Sequence, residues 1–181
     1  MRPDRGVKDE RSSQFLTFWM GEDAYALDIL RVREIRGWSK PREILNVPKY
    51  IKGVIEFRGG IVPIVDLRMK FSLGGVNYSR ETVVILVSIM QAATARSKEG
   101  DQQTGNDHQQ EHVVGMVVDR VADVLDIKPE EIKAKPELGS KLDTRYLRGL
   151  VKTEEGMVLL IDVDSLLDPE TFSKVIEATD Q

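Results

Sequence analysis

One stretch of this chain is written twice, and that repeat constrains the fold more than any other feature. Residues 51–71 (IKGVIEFRGGIVPIVDLRMKF) align without a gap to residues 147–167 (LRGLVKTEEGMVLLIDVDSLL). Gly53 falls on Gly149, Gly60 on Gly156, Val62 on Val158 and Asp66 on Asp162. Apolar positions match as well: Val54 with Leu150, Ile64 with Leu160, Val65 with Ile161 and Phe71 with Leu167. A weaker echo pairs Ala26–Ile35 with Gly115–Val124, around Arg31-Val32 and Arg120-Val121. Units this small bury too little core to stand alone. The repeat therefore predicts two similar β-barrels packed together, with a groove between them.

The pattern inside and around the repeat is that of short strands. Phe15–Met20 reads as a strand, Gly21-Glu22-Asp23 as a hairpin turn and Ala24–Asp28 as the returning strand. Ile29–Arg36 reads as a further strand on which Val32 and Glu34 share a face. Gly53–Phe57 and Ile61–Val65 join through Arg58-Gly59-Gly60. Thr82–Met90 and Val113–Asp119 are nearly continuous in Val and Ile, as central strands buried on both faces should be. Residues 91–112 contain no Val, Ile, Leu, Met, Phe, Trp or Tyr and read as a flexible, overgrown hairpin loop. Asp168-Pro169 is an N-cap followed by proline at the first helical position, which predicts a helix over Pro169–Ala178. Lys128–Ile132 opens a turn or two. The fold class is all-β with short helices: two repeat-related five-stranded SH3-like barrels around a common core, plus a C-terminal helix. Residues 1–13 form a disordered charged tail, 14–168 the intertwined two-barrel domain with 91–112 as an insertion, and 169–181 the C-terminal helix and tail.

Several chemistries are excluded by composition. The chain has 181 residues and no cysteine, so disulfides, thiolate metal sites and cysteine nucleophiles are out. A formal charge of −4 argues against nucleic acid, whose binders carry a basic surplus. No apolar run approaches the roughly 20 residues that cross a bilayer, and the charged start lacks a signal peptide's apolar stretch. A cytoplasmic protein without cofactors is expected. Gly59-Gly60 and Gly74-Gly75 lie outside any phosphate-loop context and read as turns.

Two features invite a catalytic reading. His108-Gln-Gln-Glu-His112 is a literal H-x-x-E-H, which on a helix could hold zinc with Glu111 as base. In a polar loop, with a strand starting at Val113, it has neither the helix nor a third ligand, so a zinc hydrolase is a remote alternative. The repeated Asp66 and Asp162 could form a carboxylate pair. Each follows a strand and precedes a helix-like segment, which favours capping of free N–H groups. Arg58, at a glycine-flanked bend, suits an interfacial anchor, although spacing alone favours a solvated turn residue.

Longer motifs carry a resemblance. Tyr25-Ala-Leu-Asp-Ile-Leu-Arg-Val-Arg-Glu-Ile-Arg36 and Ile51-Lys-Gly-Val-Ile-Glu-Phe-Arg-Gly-Gly-Ile-Val-Pro-Ile-Val-Asp-Leu-Arg68 resemble CheW-type chemotaxis coupling proteins. So do Thr82-Val-Val-Ile-Leu86, Val114–Val124 and Tyr146-Leu-Arg-Gly-Leu150, and the likeness spans about Gln14 to Asp168.

The resemblance implies a non-enzymatic adaptor. Its partners would be the cytoplasmic tips of chemoreceptors, the regulatory domain of the histidine kinase CheA, and other CheW-like proteins in array rings. It would be cytoplasmic, recruited to membrane-associated receptor arrays, without inserting into the membrane. The same adaptor in pilus motility, surface sensing or second-messenger control is the alternative circuit. Carried over residue by residue, Val32, Glu34, Gly53, Arg58 and Val84 are the expected receptor- or kinase-binding positions. Arg58→Ala or Gly53→Asp is expected to weaken binding without unfolding. Glu56 stands where the family commonly has asparagine, and the 91–112 insertion replaces a short hairpin. No receiver, ATP-binding or phosphotransfer segment is legible, which disfavours a CheV-type fusion or the kinase itself.

Overall fold

The computed structural model describes residues 12–75, 77–92, 109–135 and 144–179. Ten strands form two five-stranded sheets. β1 (Ser13–Met20) and β2 (Asp23–Asp28) make a hairpin, and a 3-10 turn at Ile29–Arg31 carries the chain into the other sheet. There lie β3 (Val32–Gly37), β4 (Ile51–Phe57), β5 (Gly60–Asp66), β6 (Val83–Ala92) and β7 (Gln109–Val118). The chain then returns through Asp119 to β8 (Arg120–Ile127), β9 (Leu147–Thr153) and β10 (Gly156–Ile161). Helix α1 (Leu67–Lys70) follows β5, and α2 (Pro169–Thr179) closes the described chain.

The strand orders are β8-β1-β2-β10-β9 and β3-β6-β7-β5-β4. Replacing each strand by its repeat partner turns one order into the other: β4 answers β9, β5 answers β10, and β3 and β7 answer β8 and β2. Even the parallel pairs correspond, β10 with β2 and β5 with β7. The domain is thus two interleaved copies of one sheet, not two halves in sequence, because the first sheet takes strands from both ends of the chain.

Three apolar clusters follow the same symmetry. The largest lies between the sheets and contains both members of the repeat pairs Ile51/Leu147, Val65/Ile161, Leu67/Val163 and Phe71/Leu167. Burying one such side chain contributes about 1.5–3 kcal/mol, and neither sheet covers these residues alone. Each sheet also wraps a small cluster of its own: Val151, Val158 and Leu160 among others in the first, Val62, Ile64 and Val84 in the second. The expected groove between the barrels is filled by the shared core, and the surface hollows lie elsewhere.

Repeat-paired residues do the same jobs. Asp66 and Asp162 accept from the backbone N–H groups of Met69 and Asp164, so both are caps. Gly53 and Gly149 let a crossing segment lie against the sheet. Residue 42 forms a two-bond bridge with Val54, and residue 133 with Leu150. A Cβ on Gly53 would stand 2.2 Å from the Arg42 carbonyl oxygen, and one on Gly149 2.7 Å from that of Lys133. Gly53 also has φ +145°, which side chains rarely adopt.

Two ion pairs clasp the sheets with inverted polarity. Arg31, entering β3, bonds Asp164 at 2.9 and 3.1 Å, and Asp164 also accepts from the Met90 N–H. On the other side Asp119, entering β8, accepts from Arg68 at 2.9 Å and from the Gly21 N–H. Where one clasp has its arginine the other has its acid: Asp164 aligns with Arg68, and Asp119 enters β8 as Arg31 enters β3.

Four sequence expectations need correction. Ile29–Arg36 is not one strand: Asp28 accepts from Leu30 N–H and caps a helical turn before β3. Residues 91–112 are not all loop. β6 and β7 pair out to Ala92 and Gln109, and the buried Gln91 amide donates to the Leu167 carbonyl. Only 93–108 lie outside the described residues, together with 1–11 of the tail; Ser13 already pairs with Ile127. Val32 and Glu34 do not share a face. A bulge sets Val32 opposite Val87, in the shared core, and Glu34 opposite Leu86, which faces the second sheet's own cluster.

Candidate functional site

The hairpin joining β4 to β5 turns in two residues, Arg58 and Gly59, between the pair Phe57 and Gly60. Their φ values of 49° and 77° are what a two-residue hairpin needs to match strand twist. Glycine or asparagine normally supplies the first position, and an arginine in the left-handed region costs about 1–2 kcal/mol. That cost holds an exposed guanidinium at the tip, 4.9 Å from the centre of the Phe57 ring.

A second arginine reaches the same ring from the opposite edge of the sheet. Arg36 on β3 places its guanidinium 5.8 Å from the Phe57 centroid. Since β3 and β4 end the strand order, this contact curls the sheet into a barrel. Glu34 accepts from Arg36 Nε at 2.9 Å, with a second, shorter contact through Nη2. Beneath them Val84, 4% exposed, faces Arg36 across the β3–β6 ladder.

The structure thus brings three of the five expected site residues together: Glu34 and Arg58 at the surface and Val84 in the floor. Phe57 and Arg36, which link them, are the members sequence reasoning missed. Phe57 immediately precedes the turn, and Arg36 lies two positions past Glu34 on a strand, so a pattern search around the hairpin could have found both. The other two lie apart. Val32 packs on the shared core, and Gly53 is buried where β4 meets Arg42. A side chain at Gly53 would meet the Arg42 carbonyl, so Gly53→Asp is expected to strain the fold as well as any contact. Glu56 is exposed and pairs with Ile61, just before the turn.

The surroundings are ordered by aromatic contacts. Trp38 stacks on Tyr78 at 4.2 Å, and Tyr78 donates to the buried Asp66 at 2.9 Å. Burial, then that hydrogen bond, raises the Tyr78 pKa well above its usual value. The phenol is therefore a fixed donor at neutral pH.

No such order supports the H-x-x-E-H reading. His108 lies outside the described residues. Glu111 and His112 are on β7, not in a loop, and adjacent strand residues point to opposite faces. Glu111 pairs with Arg33 at 2.7 Å, whose hydrogen bond lowers its pKa, and the His112 ring lies 4.2 Å from Phe172 on α2. Among the described residues no three metal-ligating side chains converge, and no helix is long and apolar enough to cross a membrane.

Comparison with known proteins agrees with this architecture. The family model described as CheW-like domain matches residues 14–170. Chemotaxis protein CheW of Klebsiella aerogenes is 41% identical over 162 residues, 90% of this chain and 86% of that one. That of Bacillus subtilis is 27% identical over 164 residues, 90% and 92% of the two chains. The crystal structure of scaffolding protein TtCheW from Thermoanaerobacter tengcongensis superposes with a TM-score of 0.70 at 26% identity, covering 88% of this chain and 90% of that one. With the repeat, the paired sheets and the match over most of its length in agreement, this chain belongs to the CheW-like family.

Proposed function

We propose that this protein is a non-catalytic adaptor that couples chemoreceptor (methyl-accepting chemotaxis protein) tips to the CheA histidine kinase, and so controls kinase activity in chemosensory arrays. The observation that carries the reading is Arg58: a charged side chain kept, at a backbone cost, on an exposed hairpin tip. Strain of this kind persists where a function depends on the residue. A guanidinium over an aromatic ring is a preorganised anchor for a carboxylate-bearing partner. Glu34 orients Arg36, and Arg36 with Arg58 fixes Phe57, so the contact face is rigid before a partner arrives. Val84 supports it from below, Val32 ties the same strand to the shared core, and Gly53 sets the line of β4 that presents the tip. The face offers a partner charge and shape. Capture of a CheA regulatory domain and a receptor cytoplasmic fragment, compared between the wild type and Arg58→Ala, tests the reading. Loss of capture in a folded variant supports it, and undiminished capture of both partners sinks the site.

A further inference from the structure

The segment joining β3 to β4 lines one side of a hollow of about 480 Å³, a volume within the range of small-molecule sites. Trp38 and Tyr78, stacked at 4.2 Å, form its aromatic wall, and the Tyr78 hydroxyl is tied to the buried Asp66. The wall is therefore in place before any ligand arrives. Ile44, Val47 and Ile51 add aliphatic surface. Asn46 has a φ of 64°, and this left-handed turn separates Val47, packed on the shared core, from Leu45, which stands 81% exposed in the lining. A ligand in the hollow would cover that leucine.

The charge of the lining is biased toward the basic side. Glu43 is its single carboxylate, and Lys40 already holds it at 2.9 Å. Lys49 and Lys52 form no ion pair with a described residue. Among the described residues the Lys52 ammonium has soft neighbours, the Met69 sulfur at 3.9 Å and the Tyr78 ring centre at 6.0 Å. A thioether is a weak acceptor, so the strong acceptor that an ammonium group favours is missing. Two spare ammonium groups match a doubly charged phosphate better than a single carboxylate. The aromatic wall beside them suits a planar ring.

We propose that this hollow binds a small organic phosphate with a planar ring, of mononucleotide size. Lys49 and Lys52 take the phosphate, the ring lies along the Trp38–Tyr78 wall, and Leu45 covers it. The inference goes beyond the adaptor reading. It needs neither receptor nor kinase and does not use the Arg58 tip, so either can fail without the other.

Titration of the full chain with AMP, GMP and UMP, followed by calorimetry and by tryptophan fluorescence, tests it. At least one of the three should bind one to one with a Kd below about 1 mM, within reach of a ligand this size. Its nucleoside, and inorganic phosphate alone, should each bind roughly tenfold more weakly or worse. The chain has two tryptophans, so Trp19→Phe leaves Trp38 as the reporter, and its emission should change on binding. Lys49→Gln with Lys52→Gln should weaken binding roughly tenfold or more. Lys49→Gln alone, at an exposed position that leaves the Tm unchanged, should weaken it roughly threefold. A wild type that binds none of the three nucleotides would overturn the proposal. So would inorganic phosphate binding as tightly as the nucleotide, binding that leaves Trp38 emission unchanged, or lysine variants that bind like the wild type.

Discussion

The repeat-paired glycines make a quantitative test of the fold, because the same backbone contact occurs at both but only one has an unusual dihedral angle. At Gly53 a Cβ would lie 2.2 Å from the Arg42 carbonyl oxygen and 2.7 Å from its carbonyl carbon, at φ +145°. Alanine there must move the crossing segment and occupy a region nearly reserved for glycine, which costs about 1–3 kcal/mol. Moving the segment strains two backbone hydrogen bonds, of 3.1 and 2.9 Å between Arg42 and Val54, each worth about 0.5–1.5 kcal/mol. Together these put Gly53→Ala at about 2–6 kcal/mol. At Gly149 the corresponding contacts are 2.7 Å to Lys133 O and 2.8 Å to the Ile132 side chain, without a positive φ. Gly149→Ala should therefore cost less, about 1–2 kcal/mol, the two bonds to Lys133 being the part at risk. Urea denaturation read by tryptophan fluorescence gives both values. For a domain of this size 1 kcal/mol corresponds to roughly 2–4 °C in Tm, so thermal melts resolve them too. A Gly53→Ala protein within about 0.5 kcal/mol of wild type, or a Gly149 variant the less stable of the two, would refute the reasoning. The outcome also decides how a Gly53→Asp binding defect is read: loss of binding there reports the fold before the contact.

Other expectations follow from single contacts. Arg58→Gly should leave stability within about 1 kcal/mol of wild type, because relief of the left-handed strain offsets the lost stacking on Phe57 and the extra freedom of the unfolded chain. Arg58→Ala keeps the strain and should be the less stable of the two in the same urea series. Asp119→Ala leaves Arg68 only the Gly75 carbonyl and the Gly21 N–H no side-chain acceptor, and should cost about 1–3 kcal/mol, with Asp164→Ala similar at the opposite clasp. Equal denaturation midpoints in wild type and both variants would dismiss the clasps. His112 is held below its ordinary pKa by burial against α2. Its neutral form favours the fold, so its contribution is full above the ordinary value of 6.5 and is lost as pH falls below it. His112→Phe should flatten the stability profile between about pH 7 and 5 relative to wild type; parallel profiles would show that the imidazole plays no such part.

Much of this architecture was legible because the repeat reports backbone needs. Gly53 and Gly149, Asp66 and Asp162 recur since each pair meets the same crossing segment or the same free N–H groups, and no other residue type does so well. The partner order of the strands was not legible. β2 and β10 are short apolar runs far apart in sequence, and parallel pairing leaves no local pattern in either. The turn at Ile29–Arg31 hid inside an apolar alternation that suits a strand equally well, and only Asp28, a residue with a capping side chain, marks it. The bulge at Arg33 shifts Glu34 to the face opposite Val32, so counting by twos put the two on one face. Polar residues misled at the far hairpin. Gln91, Glu111 and His112 look like loop, yet cross-strand pairing, the Leu167 carbonyl, Arg33 and Phe172 give each a place in the sheet. At the candidate site the residues were legible only through family resemblance, while the grouping through Phe57 and Arg36 needed the barrel to close.

If one face built on Arg58 holds the partners of an adaptor, a single side chain should govern whether the two partners are bridged. The most direct measurement is simultaneous capture: receptor cytoplasmic fragment immobilised, CheA regulatory domain in solution, and this protein supplied as wild type or Arg58→Gly. Wild type should bring the kinase domain to the receptor, and the equally stable glycine variant should not. Bridging by the glycine variant at wild-type level, or no bridging by folded wild type, would contradict it.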